Sequence, residues 1–217
     1  MAFELPAYAE LHGLSNFTFL RGASHPEELV EQAAALGYRA LALTDECSFA
    51  GAVRAHLAAK RCGLPLILGT ELRLEGGMKL VLLATDRRAY GAISTLITLG
   101  RRRAKKGCYT LLPTDVEAIT GSRALVLLIP AGVPDLTQAR WVAERFAGNA
   151  WLAAELHCGP GDRAQLARLR EIAAAAHLPL VAAGDVHMHL RSRRRLQDTL
   201  TAIRLGRPIA QCGHALY

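Results

Sequence analysis

The sequence predicts an α/β fold, and within that class a barrel. Short runs of Leu, Ala, Val and Ile alternate with amphipathic stretches along the whole chain. These runs, such as Ala40 to Leu43 and Ala124 to Pro130, are apolar throughout, as expected of parallel strands covered on both faces. Seven or so β–α units in 217 residues favour closure into a (β/α)7 barrel over an open sheet.

Taken in order, Tyr8 to His12 reads as the first strand. Ser24-His25-Pro26-Glu27 has the form of a capping box: a Ser cap, Pro in the first turn, and Glu three residues after the Ser. The helix it opens runs to about Leu36, where Gly37 is a natural stop. Ala40 to Thr44 is a buried strand, and a second helix spans about Gly51 to Arg61. Leu66 to Leu68 and Glu71 to Leu74 read as two short strands, with Gly76-Gly77 turning the chain into a partner strand from Lys79 to Ala84. A helix follows from Arg87 to about Leu99, and Thr114 to Glu117 repeats the capping pattern. The rest reads as strand Ala124 to Pro130, helix Leu136 to Phe146, strand Trp151 to Leu156, helix Gln165 to Ala176, strand Leu180 to Ala183 and helix Ser192 to Ile203.

Half of the residues (51%) are hydrophobic and 6% are aromatic, which suits a globular chain with a sizeable core and excludes a disordered one. No composition shift, internal repeat or low-complexity tract divides the chain, so residues 1–217 are expected to form a single domain. Arg101 to Pro113 is the one linker-like stretch. Met1 to Pro6 carries no secretory signal pattern, and the longest apolar run, Ala124 to Ala131, is far too short to span a bilayer. The expected location is cytoplasmic, with no membrane partner. The five cysteines (Cys47, Cys62, Cys108, Cys158, Cys212) are widely spaced with no C-x-x-C, so they are expected to be reduced and mostly buried thiols.

The formal charge is +7, much of it in two clusters. One holds Arg101, Arg102, Arg103, Lys105 and Lys106, and the other holds Arg193, Arg194 and Arg195 together with Arg191. Two readings stand for them: contact with a phosphate backbone, or solvated helix ends favoured by the helix dipole.

In an α/β barrel, chemistry collects where strands end. Metal-ligand side chains fall at such points: His12, Asp45 and Glu46, Glu71, His157, and Asp185 with His187. Each alone is more often a structural hydrogen-bonder. As a set, His12, Asp45, Glu71, Asp185 and His187 are placed to converge on one rim, and Asp185 and His187 share a side if the chain there is β. Carboxylate with imidazole suits zinc, manganese or iron.

These segments resemble a known family. His12-Gly13-Leu14-Ser15 with Phe19 to Ala23, Thr44-Asp45-Glu46, Leu66 to Leu72, and Leu178 to His187 are similar, in that order, to the motifs of the PHP (polymerase and histidinol phosphatase) domain of bacterial C-family polymerase α subunits. Gln197 to Gly206 is similar to the continuation of those chains. Asn16 to Ser24 and Thr44 to Ser48 resemble most the error-prone branch, used in damage-induced, translesion synthesis. The resemblance covers essentially the whole chain. It implies a distorted TIM-like barrel at the N-terminus of a longer nucleotidyltransferase acting in DNA replication and repair. Palm, thumb and fingers would lie beyond a linker starting near residue 205. Other translesion-synthesis proteins are further implied partners, and DNA is expected to bind weakly.

The departures from the family pattern are equally informative. The second His of the first motif is Leu14, the motif aspartate is Arg21, the His of Thr-Asp-His is Glu46, and Lys79 stands where a strand often carries another His. His12, Asp45, Glu71, Asp185 and His187 remain, with His157 as an extra candidate. The expectation is a degenerate metal site with no cofactor, its charge replaced by Arg21 and Lys79, in a domain with a structural or interaction role. The alternatives are an active phosphoesterase or 3′–5′ exonuclease using zinc or manganese, and a stand-alone barrel phosphatase of small metabolites.

Overall fold

The computed structural model describes residues 7–130, 132 and 135–216. Met1 to Pro6, read above for targeting signals, therefore lies outside the described residues, as does Ala131.

Seven strands form one sheet in sequential order. They are β1 (Ala9–Gly13), β2 (Ala40–Leu43), β3 (Leu66–Arg73), β4 (Lys79–Leu83), β5 (Leu125–Ile129), β6 (Ala150–Glu155) and β7 (Leu180–Ala183). The helices are α1 (Pro26–Ala35), α2 (Ala52–Cys62), α3 (Arg87–Arg103), the short α4 (Pro113–Glu117), α5 (Leu136–Arg145), α6 (Asp162–Ala176) and α7 (Arg194–Leu205).

The sheet is nearly closed. Just past β7, Val186 bridges Gly13, with the Leu14 N–H donating to the Val186 carbonyl at 2.8 Å and the Val186 N–H to the His12 carbonyl at 2.9 Å. Lower in the seam the Glu10 carboxylate takes over. It accepts the N–H groups of Gly184 (2.9 Å) and His12 (2.8 Å) and the Tyr8 hydroxyl (2.9 Å). A Cβ on Gly184 would lie 2.3 Å from Glu10 Oε2, so glycine is what allows this approach. Burial raises the Glu10 pKa, and its three donors only partly offset that.

Strand residues alternate between two environments. Ala42, Val81, Leu127, Ile129 and Ala153 pack together inside the barrel. Leu72, Leu80, Leu82, Leu128 and Leu152 pack with helix residues such as Ile93, Val142 and Leu169, while Leu41 and Leu43 meet Leu29, Val30 and Ala55 of α1 and α2. Truncating any fully buried Leu here, Leu82 for example, should cost about 3 kcal/mol.

Several expectations need correction. The two short strands read around Gly69 are one continuous strand, β3. The sheet is mixed: β4 runs antiparallel to both β3 and β5, while the other pairs are parallel. Helix α3 continues to Arg103 and absorbs the start of the linker-like stretch. Both capping boxes sit away from their expected positions, the first one residue later and the second two residues earlier. His25 caps α1 and its N–H is taken by Glu28 (2.8 Å); Leu112 caps α4 and its N–H is taken by Asp115 (2.8 Å). In each case Pro fills the first helical position, and its fixed φ places the cap at the preceding residue. All five cysteines are free as expected, but Cys62, Cys108 and Cys158 are exposed and only Cys47 and Cys212 are buried. Among the described residues no helix is long and apolar enough to cross a membrane.

Candidate metal centre and its ion-pair cluster

The rim where the parallel strands end gathers charge. His12, at the end of β1, is fully buried, and both its ring nitrogens face carboxylates: Nδ1 lies 2.6 Å from Glu155 Oε1 and Nε2 lies 2.9 Å from Glu71 Oε2. Carboxylates only accept, so both nitrogens must donate, and His12 is an imidazolium. Burial alone would push its pKa down, but the hydrogen bonds to Glu155 and Glu71 outweigh it and hold the pKa at about 9.

Glu71 is the hub. Arg21 Nη1 sits 2.5 Å from Oε1 and Nη2 sits 3.0 Å from Oε2, while Lys79 Nζ sits 3.0 Å from Oε2. Burial opposes ionisation of Glu71, yet His12, Arg21 and Lys79 together hold its carboxyl well below the usual range. Arg21 Nη1 also reaches Glu46 Oε2 at 2.6 Å. Lys79 belongs to this rim because β4 is inverted: its first residue stands where its neighbours end.

The turn carrying Arg21 is tightly specified. The Asn16 N–H donates to the Ser24 carbonyl (2.8 Å), that of Arg21 to Thr18 (3.0 Å) and that of Ala23 to His187 (2.7 Å). Gly22 packs so closely that a Cβ would lie 2.1 Å from the Ser15 carbonyl oxygen. Leu20 holds φ +61°, a left-handed conformation uncommon for a branched residue.

Asp45 is at the rim but not in the ion-pair cluster. Its oxygens accept the Ser15 N–H (2.7 Å), the Ser15 hydroxyl (2.8 Å) and the Thr18 hydroxyl (2.7 Å), so it braces the Arg21 turn. Burial raises its pKa, and the Thr18 and Ser15 donors work against that. Asp185 is not in β geometry: β7 ends at Ala183 and Asp185 takes φ +47°. Its Oδ1 nevertheless meets His187 Nε2 at 3.1 Å and lies 3.5 Å from His12 Nδ1 and 3.9 Å from Lys79 Nζ. Burial raises the Asp185 pKa, but the His187 hydrogen bond and the charges of His12, His187 and Lys79 bring it below the usual range. His157 is exposed in the loop after β6, outside the cluster.

Glu155 was missed in the sequence, although a lone acid closing the apolar strand Ala150–Glu155 was a usable signal. Tyr109 was missed as well. Its hydroxyl donates to Glu46 Oε1 (2.8 Å), and the Arg101 guanidinium stacks over its ring at 5.3 Å while Arg101 Nη2 donates to the Glu46 carbonyl (3.2 Å). The stretch read as a linker thus leans over the rim.

In the basic clusters, Arg101 is tied down in this way. Arg103 pairs with Asp115 (Nη2 to Oδ1, 2.9 Å), Arg193 with Glu28, and Arg194 with Asp198 (3.6 Å). Arg102, Lys105, Lys106 and Arg195 are exposed.

One ligand atom from each of His12, Glu71 and Asp185 lies within 4.8 Å of the other two, a spacing that suits a cation. As arranged, these donors are already engaged within the protein. An imidazolium has no lone pair to give, both Glu71 oxygens are engaged, and two side-chain cations flank the position.

Comparison with known proteins agrees with this architecture. The chain is 56% identical over 217 residues to the error-prone DNA polymerase of Dechloromonas aromatica, covering 98% of this chain and 21% of that one. It is 55% identical over 210 residues to that of Methylococcus capsulatus, covering 97% and 20%. It therefore spans about a fifth of the length of the curated relatives it matches. In fold it is similar to the crystal structure of a proposed metal-dependent phosphoesterase from Bifidobacterium adolescentis (TM-score 0.61, 20% identity, 85% of this chain and 89% of that one). It is similar also to an amidohydrolase from Chromobacterium violaceum (TM-score 0.59, 17% identity, 84% and 88%). The family model described as the PHP domain matches residues 10–151, and with the barrel and its rim of histidines and carboxylates in place, the chain belongs to the PHP domain family.

Proposed function

We propose that this chain is the PHP domain of an error-prone DNA polymerase that acts in damage-induced, translesion synthesis in the cytoplasm. On this reading an internal ion-pair cluster has replaced the family's metal centre, and the domain serves as a structural and interaction module for the polymerase palm, thumb and fingers. The observation that carries the proposal is the two-pronged contact of Arg21 with Glu71. A fixed guanidinium satisfies the carboxylate that a cation would otherwise hold, and it stays charged at every physiological pH. Hydrolysis of phosphate esters by this fold would need a metal to generate hydroxide, which Arg21 and Lys79, both held on Glu71, do not supply. Other translesion-synthesis proteins are further partners, and DNA touches Arg102, Lys105, Lys106 and Arg195 only weakly. Assay of the purified protein against phosphodiester and 3′-ended DNA substrates with added zinc or manganese tests the proposal. Turnover that Glu71→Gln abolishes would overturn it.

A second reading, metal-dependent phosphoesterase or exonuclease activity, draws on the spacing of His12, Glu71 and Asp185. It requires His12 to lose a proton and both Arg21 and Lys79 to swing away from Glu71, and then zinc or manganese would be held by those three residues.

A further inference from the structure

The outward face of α7 is unusual for a surface helix. Its inner side buries Gln197, Thr201 and Ala202. Facing away, Leu196, Leu200 and Ile203 follow at the i, i+4, i+7 spacing of one stripe, with Leu196 and Ile203 exposed and Leu200 half-buried. An outer face is normally polar. Beside this stripe stands the Arg21 turn, whose Phe19 is 82% exposed. Between them lies a cleft of about 320 Å³ lined by Asn16, Phe19, Leu20, Arg193, Leu196 and Leu200. Asn16 Oδ1, in the cleft wall, is buried with no hydrogen-bond partner among the described residues.

We infer that the α7 stripe and the Phe19 turn form a docking surface for the remainder of the polymerase chain, which seats an apolar side chain in the cleft. The inference rests on the reading of this chain as one domain of a longer polymerase.

The occupant follows from three observations. Relatives are about five times as long as the matched segment, so a large covalently attached partner exists in them. Tethering raises the local concentration of such a partner to the millimolar range, which makes a patch of this size sufficient. Arg193 at the cleft and Arg194 are already paired with Glu28 and Asp198, but Arg195 and Arg204 of α7 are exposed, so the contacting segment carries acidic groups around its apolar anchor. Nucleic acid fits less well, because Phe19 alone in this patch offers a base a stacking face and the stripe beside it is Leu and Ile. A second exposed apolar pair, Val53 and Leu57 on α2, is flanked by the Arg54–Glu27 ion pair and serves as a control surface.

The test uses the full-length polymerase with single substitutions Phe19→Cys, Leu200→Cys, Ile203→Cys or Val53→Cys. Thiol alkylation is followed peptide by peptide in a mass spectrometer, which separates the new thiol from the native ones. Positions 19, 200 and 203 should react about ten-fold or more slowly than position 53, as expected for a covered surface that opens only transiently. In the double variant Leu196→Glu/Ile203→Glu, Phe19→Cys should react as fast as Val53→Cys. Equal rates at all positions in the otherwise unchanged protein would overturn the inference. So would protection that vanishes on dilution to monomers, which would assign the surface to a second copy. Detection of the native gene product at the 23.4 kDa of this chain alone would instead remove the longer-polymerase reading, and the docking surface with it. A full-length product with equal rates removes the docking surface alone.

Discussion

Arg21 and Glu71 are 50 residues apart in sequence, yet both guanidinium Nη atoms sit on the Glu71 carboxylate, at 2.5 and 3.0 Å. Glu71 is fully buried, Arg21 is partly buried with 15% of its side chain exposed, and the same guanidinium reaches Glu46. Removing it leaves two carboxylates short of a partner. Arg21→Ala should therefore destabilise the protein by about 3 kcal/mol in urea unfolding, at the lower end for a broken buried pair because His12 and Lys79 still face Glu71. Arg21→Lys should recover only part, since an ammonium does not make the two-pronged contact.

Stability should fall on the alkaline side. His12 has its pKa raised to about 9 in the fold, against an ordinary value of about 6.5 when unfolded. A raised histidine contributes stability that is fully present below about pH 6.5, declines as pH rises, and is gone above about 9. The loss should be on the order of 3 kcal/mol between those limits, and His12→Gln should flatten that arm of the profile. Glu71 and Asp185 act with the opposite sign: their lowered pKa values stabilise above the ordinary carboxylate range, and this is lost as pH falls. Glu10 and Asp45, both raised by burial, oppose that acid arm, and the raised Cys47, Tyr8 and Tyr109 add their own loss as pH approaches and passes their ordinary values, so the window from about pH 6.5 to 8.5 is the cleaner measurement. Urea midpoints at a series of pH values give the profile.

Restoring ligands should restore metal. The triple substitution Leu14→His, Arg21→Asp, Glu46→His removes the guanidinium and supplies three new donors at the rim. It should raise zinc or manganese content after dialysis from trace to about one equivalent or more. Circular dichroism of the same sample shows whether the barrel is intact, and a folded but metal-free triple variant would contradict the account.

Binding to DNA should be weak and salt-sensitive. Of the two basic clusters, Arg101, Arg103, Arg193 and Arg194 are engaged within the protein, which leaves Arg102, Lys105, Lys106, Arg191 and Arg195 facing solvent. Fluorescence anisotropy with labelled DNA should give a dissociation constant no tighter than about 1 μM at physiological salt. Neutralising Arg102, Lys105 and Lys106 together should lower the salt slope by about 2–3.

Much of this architecture was legible in the sequence, because apolar runs and Gly or Pro punctuation report local structure directly. The hairpin at Gly76-Gly77, where φ is +85° and +88°, is a case in point, and it sets the inversion of β4 that brings Lys79 to the rim. The convergence of His12, Glu71, Asp185 and His187 was legible from strand ends. Side-chain partners were harder to read. Asp45 is drawn out of the cluster by Ser15 and Thr18 hydroxyls, which no spacing rule announces. Asp185 reads as strand but adopts φ +47°, because the chain leaves β7 at Gly184 to make the Val186 bridge. Glu155 was overshadowed by His157, two residues on, although the strand ends at Glu155 and leaves His157 in solvent.

That internal cations occupy the place of metal is tested most directly by metal stoichiometry. Elemental analysis of the protein purified without chelators, after equilibration with zinc and manganese followed by gel filtration, should show well under one ion per chain. One or more tightly held equivalents in the unsubstituted protein, lost on Glu71→Gln, would contradict it.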